Sequence, residues 1–230
     1  MDEDWPIVTF ILITINLAVF LFSYDISTNF VSDAVLSAYG LSPANLNTRL
    51  YTLITHMFIH GDIIHIGGNM LMLSIVGLLI ENKIGSMKFL LFYLLSGFCA
   101  IPFGFLMEFL TGNIVILIGA SAAVYGVMFL AAAIAGWEEV PAILIPVLNI
   151  VAAPVVFFTF KNIKVPMFIA ILFYFLMNLI MMIVNLPDSI GELAHFGGIF
   201  GGVIGILTIL PKTKTEQSSD VKPELLGKSP

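Results

Sequence analysis

Long apolar runs, separated by short polar segments, dominate the 230-residue chain. A helix needs about 20 mostly apolar residues to cross a bilayer. Six runs meet or approach this length, and they predict spanning helices at about 6–24, 63–81, 87–110, 119–136, 166–186 and 194–210. The polar segment 212–230 has no hydrophobic period, so we expect it to be a solvated, disordered tail after a membrane domain at 1–211. The pattern predicts an all-α polytopic membrane protein.

A seventh apolar run, 141–160, carries three prolines, and a proline inside a helix removes a hydrogen bond. Lysines decide whether it crosses, because cytoplasmic loops are enriched in Lys and Arg. With six spans and a cytoplasmic N-terminus, every close lysine pair falls on the cytoplasmic side: Lys83/Lys88, Lys161/Lys164 and Lys212/Lys214. A crossing by 141–160 would move the second pair outside. We therefore interpret this run as a membrane-associated connection that does not cross, with both termini in the cytoplasm.

Composition supports this interpretation and excludes other classes of protein. Hydrophobic residues make up 59% of the chain and charged residues only 10%, whereas about a quarter of a soluble domain is charged. The net charge is −6 and no basic cluster predicts binding to nucleic acid, so the expected partner is the lipid bilayer. In this topology the connection 25–62 lies outside. Its apolar second half, 50–60, is predicted to lie on or dip into the outer leaflet.

Polar side chains inside the apolar runs are the candidate functional residues, because ionisable groups in a bilayer are costly and tend to be functional. His65 and Asn69 are four residues apart near the start of the second span, so they share one helix face. Ser121 begins the fourth span and His195 begins the sixth. All three spans start at the outer surface in the predicted topology. The four side chains are therefore expected at a similar depth.

Small residues at four-residue spacing predict that the fourth and sixth spans are in contact, because such faces let helix backbones approach closely in membranes. They are Gly119/Ala123 and Ala122/Gly126 in the fourth span and Ala194/Gly198/Gly202 in the sixth. This packing would bring Ser121 within reach of His195, with Tyr125 one turn below Ser121 to hold the imidazole ring. Gly197, on the neighbouring row, is expected to tolerate Ala better than Gly198 tolerates Val.

This constellation fits acyl-transfer chemistry, which needs no cofactor. A serine hydroxyl is a weak nucleophile until a base takes its proton, and a neutral imidazole such as that of His195 is a common base. The developing oxyanion then needs hydrogen-bond donors. Asn69 offers its amide, His65 an imidazole N–H, and Ser121 its backbone N–H. Each residue also has a structural interpretation, in helix packing or at the membrane interface, and spacing alone leaves both interpretations open.

Two other interpretations start from the same polar residues. His56, His60 and His65 supply three imidazoles, which is enough for a catalytic zinc site. Gly61 and Asp62 form a predicted helix start between the second and third histidine and should turn the rings apart, so we expect no metal site. A transporter would also place polar groups within the membrane, but it would generate no cleaved product.

The motifs HIGGN, GASAAVYG and AHFGGIFGG, in this order over the predicted spans, resemble the rhomboid family of intramembrane serine proteases. The resemblance covers about 7–210 and implies a rhomboid-like bundle of six transmembrane helices in the cell membrane. It also implies Ser121 as nucleophile, His195 as base, and His65 and Asn69 as oxyanion donors. Gly119 would allow the tight turn before the nucleophile, and His60 would belong to a supporting network.

The resemblance implies substrates that are single-span membrane proteins, cut near the extracytoplasmic end of the helix. The alternative is a catalytically inactive relative that binds membrane clients, although such relatives lose the serine or the histidine and this chain keeps both. One departure concerns the outer connection. Tyr51-Thr52 stands where the family commonly has Trp-Arg, which puts the anchoring of this connection in doubt.

Overall fold

The computed structural model describes residues 5–141, 164–184 and 190–210. The connection predicted at 141–160 and the tail predicted at 212–230 lie outside the described residues, apart from Pro141. The described chain is mostly helical. In chain order the helices are α1 (Ile7–Ser23), α2 (Asp33–Tyr39), α3 (Thr52–Thr55), α4 (Ile63–Met72), α5 (Leu78–Ile84), α6 (Ser86–Thr111), α7 (Ser121–Ala135), α8 (Met167–Val184) and α9 (Ile190–Ile209).

Short irregular elements join these helices. A 3-10 turn, His56–Phe58, follows α3, and a π-helical turn, Leu73–Gly77, makes α4 and α5 continuous. Two antiparallel strand pairs are present: β1 (Tyr24–Asp25) with β2 (Phe30–Val31), and β3 (Glu139–Pro141) with β4 (Lys164–Pro166). Tyr24 faces Val31 in the first pair, and Val140 faces Val165 in the second.

Every predicted span contains an apolar helix. Four are long and apolar enough to cross a membrane: Ile63–Ile84, Ser86–Thr111, Met167–Val184 and Gly191–Ile209. The other two, Ile7–Ser23 and Ser121–Ala135, are shorter apolar helices. The protein is thus a multi-pass membrane protein, and a crossing by all six helices remains a prediction.

Two helix starts differ from the sequence prediction. The fourth predicted span becomes helical at Ser121 rather than at 119, because Gly119 has a φ of 101°, outside the helical region. The last helix begins at Ile190, about one turn before the predicted 194. The predicted start was late because the charged Glu192 interrupts the apolar run. A carboxylate is nevertheless favourable in the first turn of a helix, so the helix itself begins before Glu192. His195 therefore lies in the second turn of α9, not at its start.

Close contacts between glycines and neighbouring backbones hold α9 against α6 and α7. The Cα of Gly198 lies against the backbone of Ala122, and a Cβ added at Gly202 would be 2.9 Å from the Gly126 carbonyl oxygen. The predicted contact between the fourth and sixth spans is therefore present. A Cβ at Gly197 would lie 2.6 Å from the Cα of Ala100. The row of Gly197 therefore faces α6 at close range, although Gly198 approaches the Ala122 backbone more closely still. The expectation that Gly197 tolerates Ala better than Gly198 tolerates Val stays a prediction.

A buried carboxylate fixes the start of α1 at the opposite end of the bundle. Glu81 is 2% exposed and accepts hydrogen bonds from the backbone N–H groups of Val8 and Thr9, at 2.9 and 2.7 Å. The hydroxyls of Thr9 and Ser86 also donate to this carboxylate, at 2.8 and 2.5 Å. Because a negative charge at a helix N-terminus is favourable, Glu81 anchors α1 to the α5–α6 junction.

The outer connection 25–62 is held by side-chain to backbone hydrogen bonds. Tyr51 donates through its hydroxyl to the carbonyl of Ala38 at 3.0 Å, and Arg49 donates to the carbonyl of Ser37 at 2.5 Å. Tyr51 therefore ties the second half of this connection to α2. Within 50–60, Met57 and Ile59 are buried in the protein, whereas Leu50, Tyr51 and Ile54 are exposed. Burial explains part of the apolar character of this stretch, and contact of the exposed part with the outer leaflet stays a prediction.

Candidate active site

The site is built around the turn that precedes α7. The positive φ of Gly119 reverses the chain, and a Cβ there would lie 2.7 Å from Nε2 of His65. Two hydrogen bonds fix this turn to the outer connection: Gly119 N–H donates to the carbonyl of His56 at 2.8 Å, and Ala120 N–H donates to Nε2 of His60 at 3.3 Å. Ser121 follows as the first residue of α7. Its own N–H is among those that a helix start leaves without an intrahelical partner.

His60 and His56 support this turn as neutral rings. Burial, reinforced by the neighbouring His65, lowers the pKa of His60 to about 3. Burial also lowers the pKa of His56 to about 4, against the opposing effect of its 2.8 Å hydrogen bond to the carbonyl of Thr52. A neutral His60 can accept the Ala120 N–H through Nε2, as the network role implied by the resemblance requires.

His195 is held from two directions. Its ring stacks on Tyr125 of α7, with centroids 4.2 Å apart and planes 7° from parallel. Its Nδ1 is 2.5 Å from Oδ1 of Asn178 on α8. Since that amide oxygen can only accept, Nδ1 carries the proton and Nε2 keeps its lone pair. Tyr125 thus contacts the ring as the sequence predicts.

His65 and Asn69 share one face of α4, as their spacing predicts. The Asp62 carboxylate caps this helix through the N–H groups of Ile64 and His65, both at 2.8 Å. Nδ1 of His65 accepts from the Gly61 N–H at 3.4 Å, which makes Nε2 the protonated nitrogen on the side of Gly119. The side-chain Nδ2 of Asn69 is buried and has no hydrogen-bond partner in the part of the chain that the structure describes.

A cavity of about 310 Å³ brings part of the predicted set together. Ser121, His195, His65 and Gly119 all line it, and His56 and Glu192 add polar groups to its wall. Asn69, Tyr125 and His60 are not among the lining residues, and neither are Gly198 and Gly202. His60 and Tyr125 pack against the lining residues His65 and His195, and Asn69 lies one turn along α4 from His65. The two glycines hold α9 against α7.

Asn178 is not among the residues predicted from the sequence. This residue is the one amide in the apolar helix α8, and its side chain is only 5% exposed. A polar residue within an apolar span was the signal that selected the other candidates, and the same signal marks Asn178. Its contact with His195 joins residues 17 apart across two helices, so spacing within one helix gave no indication of it.

No metal centre competes with this assembly within residues 5–141, 164–184 and 190–210. In these ranges no group of three His, Cys, Asp or Glu side chains is arranged to hold a metal ion. His60 and His65 are near neighbours, with ring centroids 5.0 Å apart, but they meet edge to face. Their nitrogens are directed to the backbone N–H groups of Ala120 and Gly61.

Comparison with known proteins agrees with the motifs. The sequence profile of the Rhomboid domain matches residues 47–212. RHOMBOID-like protein 7 of Arabidopsis thaliana is 26% identical over 178 residues, which cover 74% of this chain and 47% of that protein. Rhomboid-like protease 3 of Toxoplasma gondii is 30% identical over 94 residues, 41% of this chain and 34% of that protein. The matches thus span half or less of these relatives. The chain belongs to the rhomboid family.

Proposed function

We propose that the chain is an intramembrane serine endopeptidase that cleaves transmembrane segments near their extracytoplasmic end with a Ser121–His195 dyad. The observation that carries the proposal is the cavity, whose wall includes Ser121, His195 and His65. These residues come from α7, α9 and α4, so the bundle must be assembled before they can act together. Single-span membrane proteins are the substrate class that can bring a peptide bond to this cavity from the bilayer.

The first step is acylation. Ser121 Oγ attacks the carbonyl carbon of the scissile bond while its proton passes to Nε2 of His195. Nε2 can accept this proton because Nδ1 already donates to Asn178. The tetrahedral intermediate then collapses, the imidazolium gives its proton to the leaving amine, and an acyl-enzyme ester remains on Ser121.

Three donors are available to the oxyanion. The Ser121 backbone N–H lies at the start of α7, where the helix dipole favours negative charge. His65 presents Nε2–H beside Gly119. Asn69 does not line the cavity, but it lies one turn along α4 from His65, and its buried Nδ2 has no other partner among the described residues. Such donors stabilise charge as it develops in the transition state, which is how they lower the barrier.

Hydrolysis completes the cycle. A water molecule in the cavity attacks the ester while His195 Nε2 takes its proton, and Ser121 regains a proton as the acid product leaves. The cavity is open to water-sized molecules, and its mainly apolar wall includes the polar residues His56 and Glu192. Hydrolysis can therefore proceed between apolar helices.

The proposal includes an orientation in the cell membrane, with the site toward the outside and both termini in the cytoplasm. The starts of α4, α7 and α9 surround the cavity, and Lys83 at the end of α5 pairs with Glu138 beyond α7 at 2.5 Å. A basic residue at that end agrees with the positive-inside rule. Reporter fusions after Asn113 and after Pro230 should give opposite signals, and equal signals would refute this orientation.

The decisive experiment is proteolysis by the purified chain in detergent and in liposomes, with a single-span protein as substrate. The proposal expects two fragments, cut near the outer end of the span, which mass spectrometry can identify. Ser121→Ala should bind the substrate without cutting it. If the wild-type chain leaves the substrate at full length under all conditions, the protease proposal is refuted. Binding of the substrate by the same preparation would then favour the client-binding alternative.

A further inference from the structure

Asn178 is an unusual residue for its position. The helix α8 around it has a mean hydropathy of 2.6, and an amide at such a site needs partners for both of its ends. The structure supplies both. Oδ1 is 2.5 Å from Nδ1 of His195, and Nδ2 donates to the carbonyl oxygen of Glu192 at 3.1 Å.

The Glu192 carbonyl determines which way the amide faces. A backbone carbonyl only accepts hydrogen bonds, so it must meet the NH₂ end of Asn178. If the amide were rotated by half a turn, its oxygen would face the carbonyl oxygen of Glu192. Its NH₂ group would then face Nδ1 of His195. The hydrogen-bond network therefore requires the amide oxygen of Asn178 to face His195.

We propose that Asn178, oriented by the Glu192 carbonyl, is a positioning residue that selects the Nδ1–H tautomer of His195. This inference rests on the proposed function for its consequence, because a base needs a free lone pair on Nε2. In the other tautomer Nε2 carries a proton and cannot accept one from Ser121. In a soluble serine protease, a change that selects the wrong tautomer of the base costs about 10⁴-fold in rate.

The two supports of His195 have different roles. Tyr125 stacks on the ring face and limits its tilt, but a face contact does not distinguish the two nitrogens. Asn178 contacts one nitrogen and does distinguish them. The Nδ1–H···O bond also strengthens when His195 becomes an imidazolium, because charge-assisted hydrogen bonds are the stronger class. Asn178 thus acts through His195 and does not touch the reacting atoms.

The test reads the tautomer directly. Protein labelled with ¹⁵N-histidine reports protonation at each ring nitrogen, and the His195 signals are identified by their absence in His195→Gln. Wild type and Ser121→Ala should both show Nδ1–H, since the assignment does not depend on cleavage. Asn178→Leu, or Asn178→Ala if the first does not fold, should show Nε2–H in part or in full. An unchanged Nδ1–H signal would overturn the inference.

Kinetics supply the second readout. Asn178→Leu should lower kcat by about 10²-fold or more with little change in KM. The change leaves His195 in the wrong tautomer to act as a base, but it removes no contact with the substrate. Asn178→Asp keeps an acceptor at Nδ1 but turns an oxygen toward the Glu192 carbonyl, so it should lose some stability while retaining clearly more activity than Asn178→Leu. Equal losses in the two variants would refute a role in tautomer selection.

The matched control is Ile171→Ala, which truncates a side chain that is 2% exposed on the same helix. It should lower the midpoint of thermal unfolding at least as much as Asn178→Leu, while His195 stays in the Nδ1–H form and kcat is retained. A control that loses both would mean that any damage to α8 has this effect, which would overturn the inference. If wild type does not cleave but the tautomer responds as expected, the proposed function fails and the positioning role stands.

Discussion

Two buried polar side chains at opposite ends of the bundle show a clear contrast. The Glu81 carboxylate accepts four hydrogen bonds and has no capacity left for a ligand. The Asn69 amide, on the other end of the same continuous helix, has an NH₂ group without any partner in the described chain. Both are nearly excluded from solvent, at 2% and 8% exposure.

This contrast separates a structural polar group from a functional candidate. A saturated carboxylate stabilises the fold, whereas a buried donor without a partner is costly unless something else satisfies it. Lack of a partner is not sufficient by itself, since Asn16, Tyr93 and Ser96 also have unpaired polar atoms. Asn69 differs from these because it lies one turn along α4 from His65, which lines the cavity.

The largest expected effect is the loss of cleavage in Ser121→Ala. The hydroxyl is small and only half-buried, so its removal should leave the unfolding temperature unchanged. In a soluble serine protease the loss of the serine or the histidine costs about 10⁶-fold. His195→Ala should be equally inactive, and the double variant no worse than either single one, as assayed by gel and mass spectrometry. Cleavage by a pure Ser121→Ala preparation would refute the nucleophile assignment.

A packing change should be almost as damaging. Gly198→Val places a branched side chain against the backbone of Ala122, directly behind Ser121, and must separate α7 from α9. Hydrogen-bond reach between nucleophile and base is only about 2.6–3.2 Å, so a small shift would prevent the proposed pairing of Ser121 with His195. We expect undetectable cleavage and a lower unfolding temperature. Gly197→Ala should lose stability as well, since its Cβ meets α6, and a fully active Gly198→Val protein would contradict this packing.

The sequence predicted the helices better than it predicted their side-chain contacts. The six apolar runs each contain a helix, because length and hydropathy determine helices in a membrane. The contact between α7 and α9 followed from small residues at a fixed spacing. The contact of Gly197 with α6 was not predictable, because one sequence does not show which helix covers the neighbouring row.

The candidate site shows the same division. Positions near a span end could be found by looking for polar residues in apolar runs, which selected His65, Asn69, Ser121 and His195. Asn178 escaped because its role depends on a contact between α8 and α9 that no spacing reveals. The start of α9 was also misplaced, since a charged residue in the first turn shortens an apolar run without shortening the helix.

The next expected effect concerns the oxyanion donors. Asn69→Ala and His65→Ala should each lower kcat by about 10²–10³-fold, because one of three proposed donors is lost and two remain. Asn69→Ala also removes an unpaired buried group, so its stability should fall little or even rise. Steady-state kinetics and thermal unfolding, measured on the same variants, will separate the effect on catalysis from the effect on stability. A raised KM with unchanged kcat would mean that these residues bind substrate instead.

Glu81→Ala should give the opposite result to Asn69→Ala. It leaves the N–H groups of Val8 and Thr9 without their acceptor at the start of α1, which should cost about 2–4 kcal/mol of stability. The cavity residues lie at the other end of the bundle, so kcat at a temperature where the protein remains folded should change less than about threefold. Glu81→Gln retains one acceptor oxygen and should be intermediate in stability. A Glu81→Ala protein that is stable but inactive would contradict the structural role of Glu81, and with it the contrast with Asn69.

The smallest expected effect is that of a metal chelator, which should leave cleavage unchanged. Three histidines occur close together in the sequence, but each already uses one nitrogen in a hydrogen bond within the protein. His56 Nδ1 meets the carbonyl of Thr52, His60 Nε2 accepts from Ala120, and His65 Nδ1 accepts from Gly61. The remaining nitrogens would have to converge on one point, and no such group of ligands exists in the described residues. If EDTA abolished cleavage and zinc restored it, the histidines would be ligands, and the serine mechanism would be wrong.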